Sequence, residues 1–293
     1  MNISLYARRM IVAGEAAIEA GQRVEGINAL KFAIGTTSLD SKLLYQLGHA
    51  QFVLGCYRDA EVALRQSLAI EPRNAPALND LAATLFAMDR DTEALSYIAQ
   101  ALAVDPNQPE AAETDSIWLL RYGRFREGWR QYEARLRTDV IKPYLRNFGQ
   151  PQWFGEALVG RTILLHAEQG VGDTIHFARY APMVAERGGR VVLEVQPGLR
   201  AILGTLPGLG MVLERGEPLP RFDLHCPLPS LPLAFGTELE SIPTPIPYVS
   251  ADPGRVALWR QRLGPRRGMR IGIACSGNPR HRDDAERSIA LAR

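Results

Sequence analysis

The first half of the sequence repeats itself with a period of 34 residues, and this period limits the possible folds more than any other feature. The identical residues that recur at that spacing include Leu44 and Leu78, Leu47 and Leu81, Ala60 and Ala94, Leu68 and Leu102, and Pro72 and Pro106. A period of about 20 to 50 residues is the signature of a protein built from stacked supersecondary units. We therefore predict an α-solenoid in which each unit buries its apolar face against its neighbours.

The unit at residues 41–74 carries a small residue at Gly48, a turn glycine at Gly55, an aromatic at Tyr57 and a closing proline at Pro72. This set resembles the tetratricopeptide repeat family, whose unit is a hairpin of two helices. We predict a repeat domain over residues 1–142, with units at 7–40, 41–74, 75–108 and 109–142. The resemblance implies a concave groove that binds a protein or peptide. A spacer or a dimerisation arm is the alternative interpretation.

A linker is predicted at residues 143–158, where prolines and glycines interrupt the helical pattern. The segment before it has aromatic and apolar residues at helical spacing: Phe125, Trp129, Tyr132 and Leu136. Such a stripe is more typical of core contacts than of a ligand site.

The second half alternates short apolar runs with helical segments, which predicts a parallel, Rossmann-like sheet. Strands are expected at 163–165, 190–195, 211–215 and 222–226, and helices at 197–206 and 252–263. A further apolar strand is expected from Met269, running into a polar loop that ends near Pro279. The fold class is therefore α plus α/β.

The stretch TILLHAEQGVGDTIHF, residues 162–177, holds the most distinctive chemistry. An apolar strand runs into Gly170 and Gly172, and Asp173 and a helix follow at once. This order is how an α/β domain presents a polar group at the carboxyl end of its sheet. By position alone, Asp173 is interpreted as a helix N-cap.

Three blocks of this half carry a family resemblance: HAEQGVGDTIHFARYAPMVAERGGRVVLEV, FDLHCPLPSLPLAFGT and SGNPRHRDDAERSI. Gly172, Asp173 and His176 match a Gly-Asp-x-x-His signature, with Pro182 displaced from its usual place. The blocks resemble the heptosyltransferase-like (family 9) glycosyltransferases. The order of parts is similar to that of the eukaryotic O-linked N-acetylglucosamine transferase, in which helical repeats precede a GT-B region.

The resemblance implies a GT-B fold with an acceptor lobe, a nucleotide-sugar donor lobe and no obligatory metal or other cofactor. This chain would hold the Rossmann-like acceptor lobe at 159–265 and an incomplete donor lobe at 266–293. We expect a glycosyltransferase-like protein that transfers a sugar from a nucleotide-sugar to a protein or glycan acceptor, inactive without the rest of the donor lobe. The alternative is a non-catalytic tetratricopeptide adaptor.

On this resemblance, Asp173 is the candidate base that takes the proton of the acceptor hydroxyl. Glu168, Gly170, Gly172 and His176 are the candidate acceptor-binding residues. For Glu168 a solvated loop acid is the alternative, and for His176 a role in filling the interface. The remaining strand-end histidines, His166 and His225, are interpreted as core residues.

The candidate donor-phosphate site lies near the end of the chain. It consists of Ser276, Gly277, Asn278, His281, Arg282 and Arg287, with Ser288 beside them. Backbone amides at a helix start together with arginines suit a diphosphate. A frayed chain end is the alternative.

Other classes of function are not favoured. Three widely spaced cysteines predict neither a disulfide framework nor a zinc site, and a net charge of +2 does not indicate nucleic-acid binding. Gly170 and Gly172 partly match a dinucleotide fingerprint, but Ile175 occupies the third glycine position, so no nicotinamide or flavin is expected. We expect a cytoplasmic protein without a secretory signal or a membrane span.

Overall fold

Two units make up the chain in the computed structural model, which describes residues 3–20, 22–34, 41–168, 170–244, 246–265, 267–273, 277 and 288–289. One unit comprises Met1–Asp115 with Ile271–Arg293, and the other comprises Ser116–Arg270. None of the helices within the described ranges is both long and apolar enough to cross a membrane.

The first unit is a stack of helical hairpins. Its described part contains α1 (Ile3–Glu19), α2 (Arg23–Ile34), α3 (Ser41–Val53), α4 (Tyr57–Ile70), α5 (Ala75–Ala87), α6 (Asp91–Val104) and the start of α7 (Pro109–Arg121). Each second helix packs against its own first helix, and the first helices α1, α3 and α5 also contact one another in sequence. This arrangement confirms the predicted helical solenoid.

The turns between first and second helices repeat one backbone conformation at intervals of 34 residues. Gly55, Asp89 and Gly123 have φ angles of 76°, 57° and 78°. This left-handed region is free of steric penalty for glycine, and aspartate tolerates it better than most residues do. The turn therefore keeps its shape in the unit where aspartate replaces glycine.

The contact between α3 and α4 depends on the absence of a side chain at Gly48. A Cβ at this position would lie 2.6 Å from Cγ of Leu64 and 3.2 Å from its backbone nitrogen. Leu64 is fully buried, and because its backbone nitrogen is one of the close atoms, a rotation of its side chain alone cannot make room. The small residue recognised in the repeat pattern is thus a packing requirement.

We predict that Gly48→Leu lowers the free energy of unfolding by about 3 kcal/mol, because the added side chain overpacks the contact between α3 and α4. Urea unfolding followed by circular dichroism measures the change. The size-swapped control, Gly48→Leu with Leu64→Ala, is expected to recover part of the loss. Equal destabilisation in the single and double variants would contradict this account of the contact.

The second unit begins within α7 and is built around a sheet. It contains α8 (Phe125–Tyr132), β1 (Thr162–His166), α9 (Val171–Ala178), α10 (Ala181–Glu186), β2 (Arg190–Val195), α11 (Arg200–Leu203), β3 (Leu209–Glu214), β4 (Leu224–Pro227), α12 (Leu231–Ala234) and α13 (Pro253–Leu263). Short 3-10 turns lie at Glu133–Arg137, Lys142–Tyr144, Leu228–Ser230 and Leu239–Ser241.

The four strands are all parallel and follow the order β3-β2-β1-β4. In the central pair, Leu165 of β1 lies opposite Leu193 of β2 on one side and Cys226 of β4 on the other. Both central strands are buried along nearly their whole length. Burial on both faces explains why they appear in the sequence as continuous apolar runs rather than as alternating patterns.

The segment before β1 packs against the same sheet. The ring of Trp129 on α8 makes an edge contact with Phe177 at 6.1 Å between centroids, which confirms a core role for this aromatic. Trp153 is fully buried, and its backbone N–H donates to the His225 carbonyl at 2.8 Å. Gln152 also forms a parallel bridge with His225, so this segment covers the outer edge of β4.

Some predicted elements differ from the observed ones. The helix expected at 197–206 is reduced to Arg200–Leu203, and β3 begins at Leu209. The strand expected from Met269 is wrong over 269–273, where no strand forms. Met269, Ile271 and Ile273 are 73–81% exposed, because the described residues place no neighbouring strand beside them. The remainder of that predicted strand, and its loop to Pro279, lie outside the described residues apart from Gly277. The predicted domain boundaries stay predictions.

Candidate functional site

Residues 170–173, which we call the glycine turn, lie at the carboxyl edge of the sheet. There β1 ends at His166 and α9 begins at Val171. Gly170 is the N-cap of α9, and no side chain caps this helix. The N-cap interpretation of Asp173 is therefore wrong. Asp173 is the third residue of the helix and is exposed to solvent.

Gly170 leaves room for the Asp173 side chain. A Cβ at residue 170 would collide with Oδ2 of Asp173, whereas a Cβ at Gly172 would meet nothing within 4 Å. The carboxylate thus folds back over the start of α9. An exposed carboxylate therefore lies near the start of α9, in the segment that follows the carboxyl end of β1.

His176 follows Asp173 by about one helical turn and is also exposed. Its ring makes an edge contact with Phe177 at 4.9 Å between centroids. Partial desolvation and the Arg179 guanidinium lower the pKa of His176, and the Asp173 carboxylate acts in the opposite direction. The His176 imidazole therefore responds to the position of the Asp173 carboxylate.

The backbone of the loop from β1 to α9 accepts hydrogen bonds from residues that follow β3 and β2. Arg215, just after β3, donates through Nη2 to the carbonyls of Ala167 and Glu168, the latter at 2.7 Å. Gln196, just after β2, donates to the Gly170 carbonyl at 3.3 Å. Thr174 donates to the same carbonyl through its backbone N–H and its hydroxyl.

The side chain of Glu168 is held by a buried arginine. Arg135 donates from Nε and Nη2 to the two Glu168 oxygens, at 3.2 and 2.8 Å. Its other N–H groups reach Ser230 Oγ at 2.8 Å, the Tyr132 carbonyl at 3.1 Å and Glu133 Oε1 at 2.7 Å. Glu168 is only 7% exposed, so the alternative of a solvated loop acid is wrong. Its predicted contact with an acceptor stays a prediction.

Arg135 is 1% exposed and was not singled out in the sequence. Burial alone lowers the pKa of Arg135, but the Glu168 and Glu133 carboxylates outweigh this effect and raise the pKa above its ordinary value. The repeat register contains a signal for this residue. Arg135 lies 34 positions after Ala101 and 68 after Ser67, which are small and fully buried. A charged residue at such a position must find a partner.

A second ion pair and two histidines lie at the same edge of the sheet. Arg146 binds the buried Glu194 at the end of β2 through both oxygens. His166 Nε2 lies 3.2 Å from His225 Nδ1, and the Phe148 ring contacts both imidazoles. Burial and the Arg146 guanidinium lower the pKa of each histidine, and that of His166 the more strongly. The interpretation of His166 as a core residue is confirmed, since it is buried.

We predict that the free energy of unfolding falls as the pH is lowered from about 7.5 to about 5, because the unfolded histidines take up protons that the folded pair does not. This stability is fully present above the unfolded pKa of about 6.5 and is lost below it, by up to about 1.4 kcal/mol per pH unit for each imidazole. Urea unfolding across this range measures the slope. The variant His166→Asn with His225→Asn should flatten it, and an unchanged slope would contradict the assignment.

The candidate donor-phosphate residues fall almost entirely outside the described residues. This applies to Ser276, Asn278, His281, Arg282 and Arg287. Gly277 is described, and its N–H donates to Ser288 Oγ at 3.1 Å. Their proposed role in binding a diphosphate is not tested by the structure.

In the described part of the chain, no group of three or more His, Cys, Asp or Glu side chains is arranged to hold a metal ion. Cys56 and Cys226 are free thiols. Complete burial raises the pKa of Cys226 well above its ordinary value, which keeps this thiol protonated.

A tetratricopeptide repeat family model matches residues 54–114. Together with the stacked hairpins, this match shows that the chain contains tetratricopeptide repeats, and a small parallel sheet follows them. Protein FlbA of Caulobacter vibrioides is 25% identical over 280 residues, which cover 87% of this chain and 46% of FlbA. This coverage is too large to be confined to the repeats, so residues of the sheet unit take part in the match.

Other similarities are weaker. The STIP1 homolog of Dictyostelium discoideum is 26% identical over 100 residues, covering 34% of this chain and 18% of that protein. The chain thus spans half or less of the length of these curated relatives. The match to the structure of MamA spans 47% of this chain and 81% of MamA, with 18% identity and a TM-score of 0.39. The match to a mutant of the Thermobaculum terrenum O-GlcNAc transferase spans 73% of this chain and 42% of that protein, with 16% identity and a TM-score of 0.44. These TM-scores are too low to establish a shared fold.

Proposed function

We propose that the first unit binds a protein or peptide partner along its first helices, α3 and α5. Stacked helical repeats create extended surfaces that single hairpins lack, and such surfaces bind partners. Adjacent first helices are joined here by a polar contact, His49 Nδ1 to Asp80 Oδ2 at 2.7 Å, and the His49 side chain is 47% exposed. The repeats thus carry hydrogen-bonding groups that a partner can reach.

The observation that carries this proposal is the buried amide of Asn79, next to Asp80 on α5. Asn79 is 6% exposed, its Nδ2 lies 3.4 Å from Asp80 Oδ1, and its Oδ1 has no hydrogen-bond partner among the described residues. Leaving a buried acceptor unpaired costs about 1 to 3 kcal/mol. In this proposal the Asn79 amide rotates on binding and accepts a donor from the peptide, such as a backbone N–H, which removes that cost.

We predict that Asn79→Leu weakens partner binding about tenfold or more, while leaving the free energy of unfolding unchanged or higher. The substitution removes the acceptor that a partner would use, and it also removes an unsatisfied buried group. The partner is first captured by a photo-crosslinking residue placed at His49, with the same residue at the exposed Val62 of α4 as the control. Its affinity for each variant is then measured by calorimetry.

Gln66→Leu, on the exposed surface of α4, serves as the matched substitution and is expected to leave affinity unchanged. Equal affinity of Asn79→Leu and the wild type would count against binding along the first helices. A spacer or a dimerisation arm would then become the better interpretation of the repeats.

A second function is proposed for the sheet unit, namely that it is the acceptor lobe of a GT-B type glycosyltransferase. Two observations favour it. The strand order β3-β2-β1-β4 is that of the first part of a classic Rossmann sheet, whose ligands bind beyond the carboxyl ends of the strands. Asp173 presents an exposed carboxylate at that place.

In this proposal Asp173 takes the proton from an acceptor hydroxyl while the oxygen attacks the sugar carbon of a nucleotide-sugar, with inversion. Glu168, Gly170, Gly172 and His176 form the acceptor side. Ser276, Gly277, Asn278, His281, Arg282 and Arg287 would meet the diphosphate, whose developing charge they would stabilise. If the sheet unit has no catalytic role, the chain is a tetratricopeptide adaptor. A cytoplasmic location is proposed on the three widely spaced cysteines.

We predict that Asp173→Asn lowers kcat for sugar transfer by about 10² to 10⁴, because the acceptor hydroxyl loses its base. The measurement is product formation from a panel of nucleotide-sugars by a chain that carries the sheet unit with a complete donor lobe. Unchanged turnover would remove Asp173 as the base.

A further inference from the structure

Arg135 is a buried arginine whose hydrogen-bonding groups are all used. It is almost completely buried, and it has a partner for each of the five N–H groups of its guanidinium. Two of the bonds are bidentate to Glu168, which adds a fixed orientation to the attraction between the charges. The guanidinium also lies over the Tyr132 ring, with 4.6 Å between Cζ and the centroid.

The partners of Arg135 come from different segments of the second unit. Tyr132 and Glu133 belong to the end of α8 and the 3-10 turn that follows it, and Ser230 belongs to the turn after β4. Glu168 lies in the loop between β1 and α9, five residues before Asp173. The arginine therefore joins the helical segment to the loop that leads into the candidate base.

We propose that Arg135 is a positioning residue, which fixes the Asp173 carboxylate by anchoring Glu168 at the start of the loop between β1 and α9. The backbone of this loop is anchored by Arg215 and Gln196, which follow β3 and β2 directly. Among the contacts of the described residues, the side-chain anchor on Glu168 comes from the helical segment. The proposal rests on the proposed role of Asp173 in the sheet unit.

A buried ion pair is not needed for stability alone, since apolar residues of similar size often replace such pairs without loss. This fact separates positioning from a merely structural role. The variant Arg135→Met with Glu168→Leu removes both charges and keeps the site filled. If the pair were only structural, this variant would fold and leave the glycine turn unchanged.

The titration of His176, followed by NMR of its imidazole protons, reports on the position of Asp173 without any activity assay. Asp173→Asn should lower the His176 pKa, because the carboxylate stabilises the protonated ring. Arg135→Met with Glu168→Leu should shift the His176 pKa in the same direction by at least half of that amount. His176→Gln identifies the resonance.

The matched control is the other ion pair at this edge, Arg146 with Glu194, whose side chains bond to each other and, in the part of the chain that the structure describes, to no residue of the loop. Arg146→Met with Glu194→Leu should leave the His176 titration as in the wild type. If the Arg135→Met, Glu168→Leu variant does not fold, Arg135→Lys replaces it. Lysine keeps the positive charge but lacks the planar fork of N–H donors that binds a carboxylate through both oxygens. A smaller shift in the same direction is then expected.

A His176 titration identical to that of the wild type in the folded Arg135 variant would overturn the proposal. An Asp173→Asn variant without effect on His176 would also overturn it, because the two side chains would not be neighbours. Neither result depends on sugar transfer. The sugar-transfer assay tests whether Asp173 is a catalytic base, and the His176 titration tests whether Arg135 positions Asp173. Failure of one proposal is therefore distinguishable from failure of the other.

Discussion

A guanidinium that is removed from water must have its charge and all of its N–H groups matched by the protein, and Arg135 meets this requirement with partners from several parts of the second unit. This requirement constrains both the positions of the partners and the identities of the paired residues. The partners must be brought to the arginine, so the turn after β4 and the loop after β1 have defined positions relative to α8. It also ties Arg135 to Glu168, because loss of Arg135 would leave the buried Glu168 without its counter-charge, and loss of Glu168 would leave Arg135 with Glu133 alone. The two positions can change easily only together.

The sequence predicted the elements whose pattern is local. The period of 34 residues led to the hairpins, and continuous apolar runs such as Ile163–Leu165 led to the strands, because burial on one or both faces leaves a regular trace in the chain. The pairing of Arg135 with Glu168 leaves no such trace, because it joins an arginine from the last predicted repeat unit, 109–142, to an acid in a loop. Only the register of the repeats marks the arginine, by placing it where Ser67 and Ala101 are buried.

Two predictions that the structure contradicts show what a local sequence pattern does not contain. The sequence predicts an N-cap at Asp173 because a helix follows it at once, but α9 begins at Val171 and its N-cap is Gly170, whose lack of a side chain makes room for the Asp173 carboxylate. The alternating apolar residues Met269 and Ile271 suggested a strand, yet a strand exists only through hydrogen bonds to a neighbour. The pattern describes the side chains of a segment and contains no information about whether a partner is present.

The segment just before β1 has a consequence for aggregation. Strand edges with free N–H and C=O groups are templates on which other chains can pair. The outer edge of β4 is partly occupied here, because His225 exchanges backbone hydrogen bonds with Pro151 and Trp153. A fragment that started at Thr162 would keep all four strands but uncover this edge. The shortest well-behaved piece of the sheet unit must therefore include the residues that a strand-based definition would discard.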